Sequence, residues 1–313
     1  MKTDPIQTEP ATAALDRANM WRGVLLMSVA FLLYSLSDLV AKLLTADFHA
    51  VQIGWTRQLG LLSGVIFLLI QRGFIVFHTK RPGLQIARGV IASTSPVLFT
   101  MAVAQISLAD AVAVSFVAPF LVVIFGALML NEHISRKQFF GILGAFIGTL
   151  IIVRPGLGVF QFGTVFVLLA ATAFALRQVI SRMVAGVDRT STTVAYAGTV
   201  SVLVLSFILP FYWKTPETLY QYGLFFLVAL TAGFGEFFII RALDITFAVI
   251  LAPLQYTMII WSIIWGWMFF ADLPDSWTLI GTAIIIISGI LTSGVMRYLK
   301  PNELKTKLKR TIR

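Results

Sequence analysis

Long, unbroken apolar runs constrain this chain more than any other feature. They are ~18–25 residues long, the length a helix rising 1.5 Å per residue needs to cross ~30 Å of hydrocarbon. Ten can be placed, over residues 22–45, 51–71, 84–106, 109–130, 137–154, 160–184, 193–213, 219–241, 247–270 and 277–298. None shows the period-two alternation of a barrel strand, so helices are the only backbone that satisfies its own hydrogen bonds in lipid. The fold class expected is therefore an all-α membrane protein of ten transmembrane helices. At 58% hydrophobic and 12% charged residues, the chain carries roughly half the charge of a soluble domain. Residues 1–19 are polar and the first run is too long for a signal h-region, so the first span is expected to stay in the mature protein.

The net charge of +10 is distributed as topology, not as a nucleic-acid surface, and no nucleic-acid partner is expected. With the N-terminus inside, Arg72, Lys80, Arg81, Arg88, Arg136, Lys137, Arg182, Arg189 and Arg241 all fall on the cytoplasmic side. The tail from Arg297 to Arg313 joins them, and its basic end is expected to rest on anionic lipid. The opposite side holds only Arg154 and Lys214. The positive-inside rule then places both termini in the cytoplasm of a bacterial inner-membrane protein.

A shift of 140 residues superposes the halves without a gap: Gly23 on Gly163, Ala102 on Ala242, Gly126 on Gly266, Gly141 on Gly281. Chemistry is kept as well, with Tyr34 on Phe174, Lys42 on Arg182, Phe116 on Tyr256 and Glu132 on Asp272. Each repeat has five spans, an odd number, so the copies must lie inverted to one another, the usual basis of alternating access. The expected organisation is a cytoplasmic tail over 1–19, a first repeat over 20–155, a second over 158–299 and a basic tail over 300–313.

The stretch AVAVSFVAPFLVVIFGALMLNEHISRKQFFGILGAFIGTLIIVRPG resembles the end of the first EamA repeat of the drug/metabolite transporter superfamily. APLQYTMIIWSIIWGWMFFADLPDSWTLIGTAIIIISG resembles the matching part of the second. An acidic residue opening the loop before the last helix, with Gly nine residues on, is the recurrent signature; Glu132–Gly141 and Asp272–Gly281 both carry it. Asn131–Glu132 and Ala271–Asp272 stand where the family usually has Gly-Glu. The resemblance implies a ten-helix carrier whose relatives export amino acids and amphiphiles or import S-adenosylmethionine or riboflavin. The second half reads closest to the S-adenosylmethionine-carrier-like branch.

Ionisable groups inside spans cost several kcal/mol unless paired or hydrated, so each is a candidate by default. Asp38 and Lys42 are one turn apart, a pairing geometry, and Arg57 lies at similar depth; they form the expected outer gate, or else a static ion pair. Arg177, Arg182 and Glu236 form the expected inner gate, with Glu236 either neutralising Arg177 or acting as a titrating or substrate-binding carboxylate. Tyr34, Ser37, Thr94, Ser95, Phe116, Gln178, Gln255, Tyr256 and Trp261 are candidates for the cavity between them, against the alternative of plain packing. Ser93–Pro96 is expected to interrupt the third span, and Pro119 and Pro253 to bend the fourth and ninth. Gly141, Gly144 and Gly148 mark a scaffold helix.

No cysteine is present, which excludes thiolate metal sites and disulfides, and no metal or cofactor is expected. Three scattered histidines offer no catalytic cluster, and no nucleotide-binding loop occurs. The reading is a secondary transporter of a small polar or amphiphilic metabolite; a channel, a receptor or an intramembrane enzyme are the alternatives. Lipid and a small-molecule substrate are the expected partners, and a homodimer is allowed.

Overall fold

The computed structural model describes residues 9–154, 161–185, 187–246 and 248–292. The C-terminal tail and residues 1–8 of the N-terminal tail lie outside these. The first five spans are α1 (Glu9–Leu44), α2 (Ala50–Arg72), α3 (Pro82–Val103), α4 (Leu108–Ser115) with α5 (Ala118–Leu130), and α6 (Arg136–Val153). The second five are α7 (Phe162–Val184), α8 (Thr190–Ile208), α9 (Leu219–Ile245), α10 (Ala248–Leu251) with α11 (Thr257–Phe270), and α12 (Ser276–Thr292). Among the described residues, eight helices are long and apolar enough to cross a membrane. The interrupted stretch from α10 to α11, and α12, supply the other two crossings.

Packing repeats as the sequence does. The pairing of α1 with α9 mirrors that of α7 with α3, and α5 on α7 mirrors α11 on α1; α6 lies along α12, and α2 along α8. At the crossings small residues bring backbones together. A Cβ on Gly148 of α6 would lie 2.7 Å from the Gly281 carbonyl of α12, and one on Gly281 would lie 2.6 Å from that of Gly148. Dispersion at this range substitutes for the hydrophobic drive that lipid cannot supply.

Spans four and nine break where proline removes a donor. Phe116 and Val117 separate α4 from α5 just before Pro119, and a 3-10 turn over Ala252–Tyr256 carries Pro253. The third span does not break. The α3 helix runs straight through Pro96, because Gln58 Nε2 of α2 donates to the Ala92 carbonyl at 3.2 Å. That carbonyl is the acceptor which the missing proline N–H leaves without its helical partner.

Candidate functional site

The two repeats end their fourth spans alike. Asn131 and Ala271 both close their helices in the left-handed conformation, each at φ 53°, with backbone N–H groups returned to Gly126 and Gly266. This turn throws the next residue, Glu132 or Asp272, back against the partner repeat. Glu132 Oε2 meets Arg182 Nη1 at 3.0 Å, and Asp272 Oδ2 meets Lys42 Nζ at 3.8 Å. Gly126 makes the first contact possible, since a Cβ there would lie 2.7 Å from Glu132 Oε2. Lys42 also donates to the Ile106 carbonyl at 2.9 Å and lies 4.7 Å from the Phe270 ring centre. One repeat-related ion pair therefore stands at each end of the bundle, and the outer end adds Arg154–Asp275, which the repeat does not duplicate.

The expected pairing of Asp38 with Lys42 is not found. Asp38 accepts instead from Arg57 at 2.8 Å, with both residues buried, while Lys42 turns to Asp272. One helical turn of proximity loses to a neighbour on α2, because a buried carboxylate gains most from a fully desolvated guanidinium. Glu236 likewise takes Tyr34 as its direct partner, at 2.6 Å from the phenol hydroxyl, rather than Arg177. The Arg177 guanidinium sits 5.0 Å from the Phe174 ring centre. Tyr34 and Asp38 lie one turn apart on α1, so the Tyr34–Glu236 and Asp38–Arg57 contacts are neighbours and the two clusters expected at opposite ends meet there.

Arg88 was counted with the cytoplasmic surface and is in fact buried. It donates to Ser181 Oγ at 2.7 Å and to the Thr193 carbonyl at 2.9 Å, and the same Ser181 hydroxyl donates to the Arg177 carbonyl at 2.7 Å. The signal available in the sequence was its depth, seven residues into a helix that opens at Pro82.

The remaining candidates scatter. Ser37 donates to the Val228 carbonyl at 3.4 Å, and Ser95 to that of Ala170 at 3.0 Å; both hydroxyls join helices. Thr94 is exposed and bonds back to Val90 of its own helix. Gln178 is half-buried beside Arg177. Phe116 and Tyr256, partners in the repeat, touch each other with ring centres 5.0 Å apart, and the Tyr256 hydroxyl presses on Gly289 of α12. Gln255 precedes that ring in the 3-10 turn. Trp261 stacks on Trp265, whose indole N–H donates to Ser35 at 3.1 Å and ties α11 to α1. Trp265 was not among the sequence candidates.

Outside the spans, Asp188 joins two connections. It accepts from the Thr79 hydroxyl at 2.5 Å, from Gln85 Nε2 at 2.8 Å and from the Lys80 amide at 3.2 Å. These bonds, led by that of Thr79, hold its carboxyl below the ordinary value of 3.8.

The EamA-like transporter family matches residues 21–154 and again 161–294, the two halves that carry the paired ends. The chain belongs to that family. An EamA-like chain of this kind is a transporter, not an enzyme. It is 30% identical over 276 residues to a pseudopaline exporter of Pseudomonas aeruginosa, covering 87% of this chain and 95% of the exporter. It is 24% identical to an S-adenosylmethionine uptake transporter of Rickettsia prowazekii, covering 84% of this chain and 90% of that one. A solved crystal structure superposes with a TM-score of 0.59 at 19% identity, covering 89% of this chain and 98% of the other. At that identity the likeness concerns the EamA-like fold alone.

Proposed function

We propose that this transporter is a secondary carrier that moves a small polar or amphiphilic metabolite, amino-acid-like or S-adenosylmethionine-like, across the bacterial inner membrane by alternating access. The observation that carries the reading is the pair of repeat-related ion pairs, Lys42–Asp272 and Arg182–Glu132, at opposite ends of one buried polar column. The charge bias places the Arg182 end in the cytoplasm. Each pair joins the first span of one repeat to the loop after the fourth span of the other, so tilting the repeats against each other opens one pair and keeps the other shut. Both pairs have a partner that is about half exposed. Such contacts are worth ~0–1 kcal/mol, weak enough to break in every cycle. Relatives include an exporter and an uptake carrier, so the family does not fix the direction of transport.

The natural chain has no cysteine, so single cysteines at Ile106 and at Ala185 report the two ends cleanly. Lys42→Gln should raise labelling at position 106 and lower it at 185; Arg182→Gln should do the reverse. If both substitutions move labelling in the same direction, alternating access is wrong. Conductance without saturable flux in reconstituted vesicles would favour a channel.

A further inference from the structure

We infer that the midplane column selects a net-anionic substrate and that Arg177 receives its carboxylate. The inference rests on the carrier reading above and narrows its substrate class to the amino-acid-like side, because S-adenosylmethionine is a net cation. The column holds two carboxylates, Asp38 and Glu236, and three guanidiniums, Arg57, Arg88 and Arg177, among the described residues; Ser181 links the last two, accepting from Arg88 and donating to the Arg177 carbonyl. Asp38 and Arg57 neutralise each other at 2.8 Å. Arg88 is held by a hydroxyl and a backbone carbonyl, and Glu236 by the Tyr34 phenol.

Among the described residues Arg177 has no ion pair and no side-chain hydrogen bond; its guanidinium lies 5.0 Å from the Phe174 ring centre. Arg177 is half-buried, and an ionisable group inside a span costs several kcal/mol unless it is paired or hydrated. Its five donors in a planar fork match a carboxylate in particular. An excess of one positive charge is balanced by a monoanion and overshot by a doubly charged phosphate.

The internal repeat isolates the same place independently. Arg177 aligns with Ser37, and Arg88 with Val228. Ser37 donates to the Val228 carbonyl, so the position that holds two cations on one side holds a neutral helix contact on the other. The fold thus accommodates this pair of positions without charge. The cations answer to something else that enters.

The test uses the purified full chain in liposomes loaded with a small-molecule extract of bacterial cytoplasm, with each compound's loss followed by mass spectrometry. Wild type should deplete carboxylates of net negative charge over amines and neutral compounds. Arg177→Gln should cut that depletion about tenfold, as loss of the charge partner of a bound anion does, whereas Arg177→Lys should keep the preference for anions. Equal depletion of amines and anions by wild type overturns the inference, and that comparison decides even if Arg177→Gln fails to accumulate. An unchanged profile in a well-accumulated Arg177→Gln also overturns it while leaving the carrier intact. No depletion of any compound overturns the carrier reading and this inference with it.

Discussion

The two ends of the bundle and its middle obey different rules. At the ends the duplication is kept in detail: left-handed caps at Asn131 and Ala271, acids at Glu132 and Asp272, cations at Arg182 and Lys42. In the middle no charge has a charged counterpart. Asp38 aligns with Gln178, Arg57 with Ala197, Glu236 with Pro96, Arg177 with Ser37 and Arg88 with Val228. Ends that must exchange roles gain from being alike. A column that meets one asymmetric molecule gains nothing from it. On the carrier reading proposed above, symmetry is kept where motion is shared and lost where a ligand is read.

The largest effect that would break this comparison concerns Asp38 and Arg57. If the middle is a set of desolvated charges, Arg57→Met alone should lower stability by ~3–5 kcal/mol, because it strands a buried carboxylate. Asp38→Asn combined with Arg57→Met should recover most of that loss. Thermal unfolding of the detergent-purified protein reads both. Equal losses in the single and double variants would mean that the pair is not desolvated as described.

A smaller effect is expected from Tyr34→Phe, which removes the 2.6 Å bond to Glu236. Bonds to ionised groups are worth ~1.5–3 kcal/mol. The variant also makes position 34 match its aligned partner Phe174, so it renders the middle more symmetric. Transport per molecule should fall while membrane abundance stays near wild type; unchanged transport would remove Glu236 from the working column.

The smallest effect belongs to the loops. The Thr79, Gln85 and Lys80 bonds hold the Asp188 carboxyl below its ordinary 3.8. Its contribution is then complete above about pH 4 and is lost as pH falls through the lowered value. Wild type should lead Asp188→Asn slightly at neutral pH, and the lead should vanish in acid. Unfolding midpoints taken from pH 6 down to about pH 3 would show it, and a lead that grew in acid would contradict the direction of the shift.

Much of the architecture was legible in the sequence, because lipid leaves the backbone few options. Helix placement followed from run length, and the breaks in spans four and nine from Pro119 and Pro253. Pro96 carried the same signal and misled, since what decides its effect is a side chain on another helix, Gln58. The site was less legible for the same reason. Spacing along α1 offered Lys42 to Asp38, whereas Arg57 and Asp272 reach those residues only through the packing of helices. The repeat alignment did pair Lys42 with Arg182 and Glu132 with Asp272. It could not show that each basic member finds its acid in the opposite copy.

The bond from Gln58 to Ala92 has a consequence for how the chain enters the membrane. Alone in lipid, α2 carries an amide without a partner and α3 a carbonyl without one, and each costs several kcal/mol there. Each helix holds what the other lacks. Their joint entry as a hairpin cancels both debts at once, whereas entry one by one meets them in turn. A residue that looks like a detail of packing thus favours the two helices entering together, and the proline that seemed to weaken one helix ties it to its neighbour.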